Sequence, residues 1–199
     1  LEHRLFTTPQ YHDADFYREI EHAPHWTQPG HGERLRMTLC EIMKVLLTNP
    51  GIQTIADWGC GDGALLHHIK LIFPNRHVWG YDLLPANVAH AKEFYRFDTA
   101  IAYKDFVNEI ASSGHLTILT EVLEHLIDPH GLLRRLYNDP VCKWIVASSP
   151  ANETLEAHYP HHNWVWDGDG FLDLFEGQGW EVQSRREYAG AQIVVARKP

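Results

Sequence analysis

The sequence predicts an α/β fold of the doubly wound kind, a mainly parallel sheet with helices on both faces. Three observations carry this expectation. Short apolar, β-branched runs alternate with stretches of helical spacing along much of the 199 residues. A glycine-rich turn, Asp57-Trp58-Gly59-Cys60-Gly61-Asp62-Gly63, links one such run to one such stretch. An acid, Asp82, closes the next apolar run nineteen residues after Gly63. Strands alternating with helices pack as parallel neighbours whose crossovers cover the sheet.

Taken in order, residues 1–50 read as an N-terminal helical extension and 51–199 as one globular unit. The extension opens with an aromatic, histidine-rich segment containing Tyr11 to Tyr17, His22, His25 and Trp26, and continues into a helix from Glu33 to Leu47. Thr54-Ile55-Ala56 predicts a strand, and Ala64-Leu65-Leu66 begins a helix. His77 to Tyr81 reads as the second strand and Pro85 to Phe97 as a helix, with Pro in the first turn and Val88, Ala91 and Phe94 at helical spacing. Further strands are expected at Ala100 to Tyr103, Leu116 to Leu119 and Trp144 to Ala147, with a helix from Leu132 to Tyr137. A Gly-flanked helix, Phe171 to Glu176, and two strands, Trp180 to Val182 and Gln192 to Ala196, complete the chain.

Composition bounds the function. A chain of 199 residues supports one core of doubly wound size and is short for two. Hydrophobic residues make up 44%, in runs too short to span a bilayer, so no membrane association is expected. No charged segment followed by an apolar one opens the sequence as a secretory signal does. The cysteines, 40, 60 and 142, are odd in number and far apart, which predicts reduced thiols and a cytoplasmic setting. A net charge of −9 disfavours sequence-independent binding to a phosphate backbone, because Lys and Arg supply that affinity by displacing counterions. The basic pairs are Arg34 and Arg36, Arg134 and Arg135, and Arg185 and Arg186.

Glycines at 59, 61 and 63 let the chain turn sharply and bring backbone N–H groups to a ligand with no Cβ in the way. Asp82, at the end of the second strand, is placed to accept from the hydroxyls of a ribose. Together they predict a nucleotide-type cofactor site. The spacing is Gly59-x-Gly61-x-Gly63 led by Asp57, not the G-x-G-x-x-G of dinucleotide folds. Past the fourth long strand, Glu121, Glu124 and His125 stand at i, i+3 and i+4, which on one helical turn puts all three on one face. Two carboxylates and an imidazole there suit either a metal site or a general-base cluster. Ligands of open α/β sheets bind beyond the carboxyl ends of the strands, so Asp105 and Phe106 are the candidates for holding a base: the carboxylate accepts from an exocyclic amine and the ring offers an apolar wall.

A turn of the form D-x-G-x-G-x-G resembles the first motif of class I S-adenosylmethionine-dependent methyltransferases, and the resemblance extends from about residue 52 to the C-terminus. It implies a Rossmann-like, seven-stranded, mainly parallel sheet ending in an antiparallel hairpin. It also implies S-adenosylmethionine as cofactor, with the glycine loop around the methionine moiety and the acid on the ribose. The implied contacts are Asp57, Gly59, Cys60, Gly61, Asp82, Leu83, Asp105, Phe106 and Glu121.

Two narrower resemblances point in different directions. Glu121-Val122-Leu123-Glu124-His125-Leu126 is similar to a stretch of metal-free methyltransferases such as the ubiquinone-type O-methyltransferases, in which it shapes the acceptor side of the pocket. The same stretch together with Pro160-His161-His162-Asn163-Trp164-Val165-Trp166 and Phe171 resembles the small-RNA 3′-terminal 2′-O-methyltransferases, which implies Glu121, Glu124, His125 and His162 as metal ligands. The chain departs from that family at Leu126, in place of a second His, and at His161, in place of an aspartate. A mixed carboxylate and imidazole set suits manganese, cobalt, iron or zinc better than magnesium. In a metal-free site His125 or Glu124 is the general base, with Glu121 beside them.

The expected activity is methyl transfer to an O or N nucleophile of a small molecule of sugar or natural-product type. The alternatives are a metal-dependent RNA ribose 2′-O-methyltransferase and a non-catalytic cofactor-binding protein. Tyr11, Tyr17, His162 and Trp164 are the candidate acceptor contacts, with Trp26 a further one in the N-terminal segment, which either lies over the cofactor or packs on the sheet.

Overall fold

A computed structural model describes residues 2–4, 10–19, 30–95, 101–103, 111–188 and 190–199. The elements run β1 (Glu2–Arg4), α1 (Ala14–Glu19), α2 (His31–Thr48), β2 (Thr54–Trp58), α3 (Ala64–Ile72), β3 (His77–Asp82), α4 (Pro85–Tyr95), β4 (Ile101–Tyr103) and β5 (Leu116–Thr120). After a 3-10 turn at Leu123–His125 come α5 (Pro129–Asn138), β6 (Trp144–Pro150), β7 (Trp164–Trp166), α6 (Gly168–Glu176), β8 (Glu181–Tyr188) and β9 (Ala191–Arg197).

Seven strands form one sheet in the order β4-β3-β2-β5-β6-β9-β8. The first four pairings are parallel, and β9 lies antiparallel to both β6 and β8. This is the sheet expected from the sequence, C-terminal hairpin included. Side chains alternate across it. Ile55, Ile118, Val146, Ile193 and Val195 face a layer of α2, α3 and α4, whereas Ala56, Trp58, Leu119, Ile145, Ala147 and Val194 face α5 and α6. Helix α2 belongs to the first layer, with Ile42, Val45 and Leu46 buried in it.

Several elements extend beyond the apolar patterns that predict them. Helix α5 starts at Pro129 because the Asp128 side chain caps it, accepting from Gly131 N–H at 2.8 Å, and Asp167 caps α6 through Gly170 N–H at 2.8 Å. Strand β8 runs to Tyr188, well past Val182, as a polar edge strand carrying Arg185, Arg186 and Glu187 and broken by a bulge between Val182 and Ser184. Edge strands are commonly charged, so hydrophobicity does not reveal them. A second, two-stranded sheet pairs Glu2, His3 and Arg4 with Trp166, Val165 and Trp164.

The order of strands reverses at β2, which has β3 on one side and β5 on the other. Crossovers leave in opposite directions there, which opens a crevice beyond the carboxyl ends of the two strands.

Candidate active site

That crevice is a cavity of about 810 Å³, within the usual range for small-molecule sites. Its cofactor end begins with the turn after β2. Gly59, Gly61 and Gly63 adopt φ of 81°, 55° and 80°, the left-handed region that side chains disfavour. The turn is tied to β3 from below, since Gly59 and Cys60 N–H both donate to the Tyr81 carbonyl, at 2.8 and 3.0 Å. Gly80 permits this approach: a Cβ there would stand 2.7 Å from Cys60 Sγ and 2.8 Å from Leu66 Cδ1.

Asp82 is buried and accepts three bonds: from Gly61 N–H on Oδ2 at 2.8 Å, and from Leu84 N–H at 2.8 Å and Asn87 Nδ2 at 3.1 Å on Oδ1. Burial still pushes its pKa up to about 6 despite these donors. Asp57 is buried too, and its Oδ1 finds no hydrogen-bond partner among the described residues. Burial, with Asp82 and Asp62 alongside, raises it to about 8. A buried carboxyl oxygen left unpaired at a cavity wall is complementary to a cation, so the site fits a ligand with an ammonium or sulfonium group.

Seven carboxyl groups line the cavity, those of Asp57, Asp62, Asp82, Glu121, Glu124, Asp128 and Glu153. Against them stands a single guanidinium, Arg34 of α2, the only Lys or Arg among the described lining residues. It lies 3.3 Å from Glu121 Oε2. Motif spacing gave no sign of Arg34, which comes from a helix outside the glycine-loop unit. Asp62 was visible within the loop itself and also lines the cavity, where it accepts from Ala64 N–H at 3.1 Å.

At the other end the expected single face of Glu121, Glu124 and His125 does not form. Glu121 has φ 53°, a left-handed residue that turns the chain between β5 and the 3-10 turn. Its N–H donates to the Ser148 carbonyl at 3.1 Å and its Oε1 accepts from Ser148 Oγ at 2.7 Å. Glu121 is thereby drawn to β6 and Arg34. Glu124, His125 and His162 come together instead, one ligand atom from each lying within 4.8 Å of the others.

Glu124 is fully buried with neither carboxyl oxygen hydrogen-bonded among the described residues, and burial beside Glu121 pushes its pKa well above the carboxylate range. Two orphaned oxygens beside two imidazoles fit a divalent cation, which would ionise the carboxyl. His162 is oriented by Glu153, whose Oε2 lies 2.6 Å from Nδ1. A carboxylate on the far nitrogen of a ligand imidazole is a usual supporting contact in metal sites.

The N-terminal segment reaches this end as well: Tyr11, His12 and Tyr17 line the cavity. Asn163 holds the segment, accepting from Gln10 N–H at 3.1 Å and donating to the Gln10 carbonyl at 2.9 Å. Leu83 also lines the cavity, whereas Gly61 is not among the lining residues and its N–H is taken by Asp82. Trp164 is not among the lining residues; its Nε1 donates to the Leu126 carbonyl at 2.9 Å and its ring stacks on Trp166. His22, His25, Trp26, Asp105 and Phe106 lie outside the described residues.

Among solved structures, the chain is similar to the methyltransferase domain of bacterial CtHen1-C, at 17% identity over 82% of this chain and 98% of that one with a TM-score of 0.64. The N-terminal domain of EvdMO1 with SAH bound matches at 17% identity, 81% of both chains and a TM-score of 0.61. Human N-acetylserotonin methyltransferase in complex with SAM matches at 21% identity, over 92% of this chain and 62% of that one, with a TM-score of 0.58. These likenesses establish the fold. No curated protein shows significant similarity in sequence. A family model described as a methyltransferase domain covers residues 31–185, and with the glycine loop, Asp82 and the sheet order already in place, the chain belongs to the methyltransferase-domain family and has the class I S-adenosylmethionine-dependent fold.

Proposed function

We propose that the protein transfers the methyl group of S-adenosylmethionine to an oxygen or nitrogen nucleophile of a small molecule seated between Glu124, His125 and the Tyr11–Tyr17 segment. The observation that carries the small-molecule reading is the make-up of the cavity wall, seven carboxyl groups to one guanidinium among the described residues. An RNA end arriving there would meet acids where phosphates need cations.

When bound, the cofactor supplies a methyl group already activated on a sulfonium, and the acceptor atom bonds to that carbon as the carbon–sulfur bond breaks. The protein's share is placement and proton handling. Asp57 faces the cofactor's cationic methionine end, and Asp82, fixed by Gly61, Leu84 and Asn87, offers its remaining acceptor capacity to the ribose. Arg34 is the counter-charge for the methionine carboxylate. His125 takes the acceptor's proton, next to a Glu124 carboxyl whose pKa burial raises. Tyr11, His12 and Tyr17 cover this end and keep water from it.

A second reading, metal-dependent methylation of an RNA ribose 2′-hydroxyl, is favoured by the Glu124, His125 and His162 cluster. There the metal would supply a lowered hydroxyl pKa, and those three residues would hold it.

The test is label transfer from methyl-labelled S-adenosylmethionine to a panel of small hydroxyl and amine acceptors and to short RNA with a free 3′ end. Label on a small acceptor alone supports the first reading. Label on RNA alone replaces it with the second, and absence of calorimetric binding of S-adenosylmethionine sinks both.

A further inference from the structure

We propose that His12, carried by the N-terminal segment, is a donor to a divalent transition-metal ion held by Glu124, His125 and His162, in the role that the small-RNA resemblance would give to Glu121. The inference rests on the metal-dependent reading, in which His125 is a ligand; in the metal-free reading the same imidazole is the base.

Glu121 is committed elsewhere. Its carboxylate lies beside Glu124 but serves Ser148 Oγ at 2.7 Å and Arg34 at 3.3 Å. His12 has the opposite character. It is 6% exposed and lines the cavity, and neither ring nitrogen has a hydrogen-bond partner among the described residues. Buried polar groups are almost always paired, so an imidazole with both nitrogens bare calls for a ligand.

Its position is set by packing. The ring stacks on Phe16 with centroids 4.0 Å apart and planes 4° from parallel, and it lies 5.3 Å from the His125 ring, which is itself 4.6 Å from that of His162. Asn163 registers the two halves of the site. The same side chain that holds Gln10 also donates to the His125 carbonyl at 2.9 Å, and its N–H donates to the Glu124 carbonyl at 2.7 Å. The N-terminal segment and the turn bearing Glu124 and His125 are therefore fixed to one another through a fully buried amide.

Three imidazoles and one carboxylate select zinc, iron, cobalt or nickel over magnesium and calcium.

Cobalt(II) titrated into the metal-stripped full chain, followed by its visible d–d absorption, tests this, with zinc affinity measured by calorimetry. His12→Phe keeps a ring against Phe16 and removes both donors. It is expected to bind either metal about 10- to 100-fold more weakly and to change the cobalt spectrum. Glu121→Gln is expected to weaken metal binding less than His12→Phe does, since its carboxylate is already held by Ser148 and Arg34. Unchanged cobalt binding by His12→Phe, or loss of binding in Glu121→Gln, overturns the proposal. So does a wild-type chain that binds S-adenosylmethionine and takes up no metal, an outcome that leaves the methyltransferase reading intact. Wild-type protein that binds metal and no S-adenosylmethionine overturns that reading instead.

Discussion

Gly61 N–H donates to Asp82 Oδ2 at 2.8 Å, joining the glycine turn after β2 to the last residue of β3. The acid that the spacing assigns to a ribose is thus also a structural bracket for the loop. Asp82→Ala would strand three donors, on Gly61, Leu84 and Asn87, at roughly 1–3 kcal/mol for each one left buried and unpaired. A lowered melting temperature together with loss of S-adenosylmethionine binding is expected. Asp82→Asn, which keeps one carbonyl acceptor, should retain most of the stability while still binding the cofactor poorly; scanning calorimetry and titration calorimetry separate the two effects.

Asp57 makes the ligand-free protein sensitive to pH. Its folded pKa of about 8 lies above the 3.8 of a free aspartate, so between those values the native state holds a proton that the unfolded chain has lost. Stability therefore falls as pH rises through that window, and Asp82, at about 6, adds to the slope at its acidic end. Thermal melts from pH 5 to 8 should show this decline, reduced in Asp57→Asn. Binding of the cationic cofactor at pH 7 should expel about one proton from wild type and none from the variant, read as buffer-dependent binding enthalpy.

Arg34 is predicted to anchor the carboxylate of the cofactor. Arg34→Ala should weaken S-adenosylmethionine about 10- to 100-fold, the equivalent of one charge-assisted hydrogen bond. Equal affinity in wild type and variant would remove Arg34 from the cofactor site.

The contact of Glu153 with His162 aims the imidazole at the acceptor end, 2.6 Å separating Oε2 from Nδ1. Glu153→Gln is expected to lower kcat by about 10-fold or more while the cofactor Kd stays unchanged. A matching loss of cofactor affinity would place the pair's role at the other end of the cavity.

Asn163→Ala should release the N-terminal segment. It removes both bonds to Gln10 and the one to the His125 carbonyl from a fully buried position. A stability loss on the order of 2–4 kcal/mol is expected, together with faster proteolysis within residues 10–19.

What the sequence by itself determined is local. Thr54 to Gly63 shows strand, turn and helix because apolar period and glycine spacing are properties of adjacent residues, and Asp82 follows at the length of one helix and one strand. Strands β2, β5 and β6 were legible for the same reason, since buried strands carry continuous apolar runs, and the half-buried β3 through its Val78 to Tyr81 run. Strand β8 was legible only at its start, up to Val182, and the pairing of Glu2–Arg4 with Trp164–Trp166 was not, since a polar edge is recognised only through its partner. The acceptor end was decided by tertiary structure. A helical reading of Glu121, Glu124 and His125 assumes regular backbone, and the left-handed Glu121 breaks it by sending one carboxylate to Ser148 and Arg34. His162, Glu153, Arg34 and His12 meet that turn from across the chain, brought there by packing and by the Asn163 amide, and no local spacing encodes contacts closed over such distances.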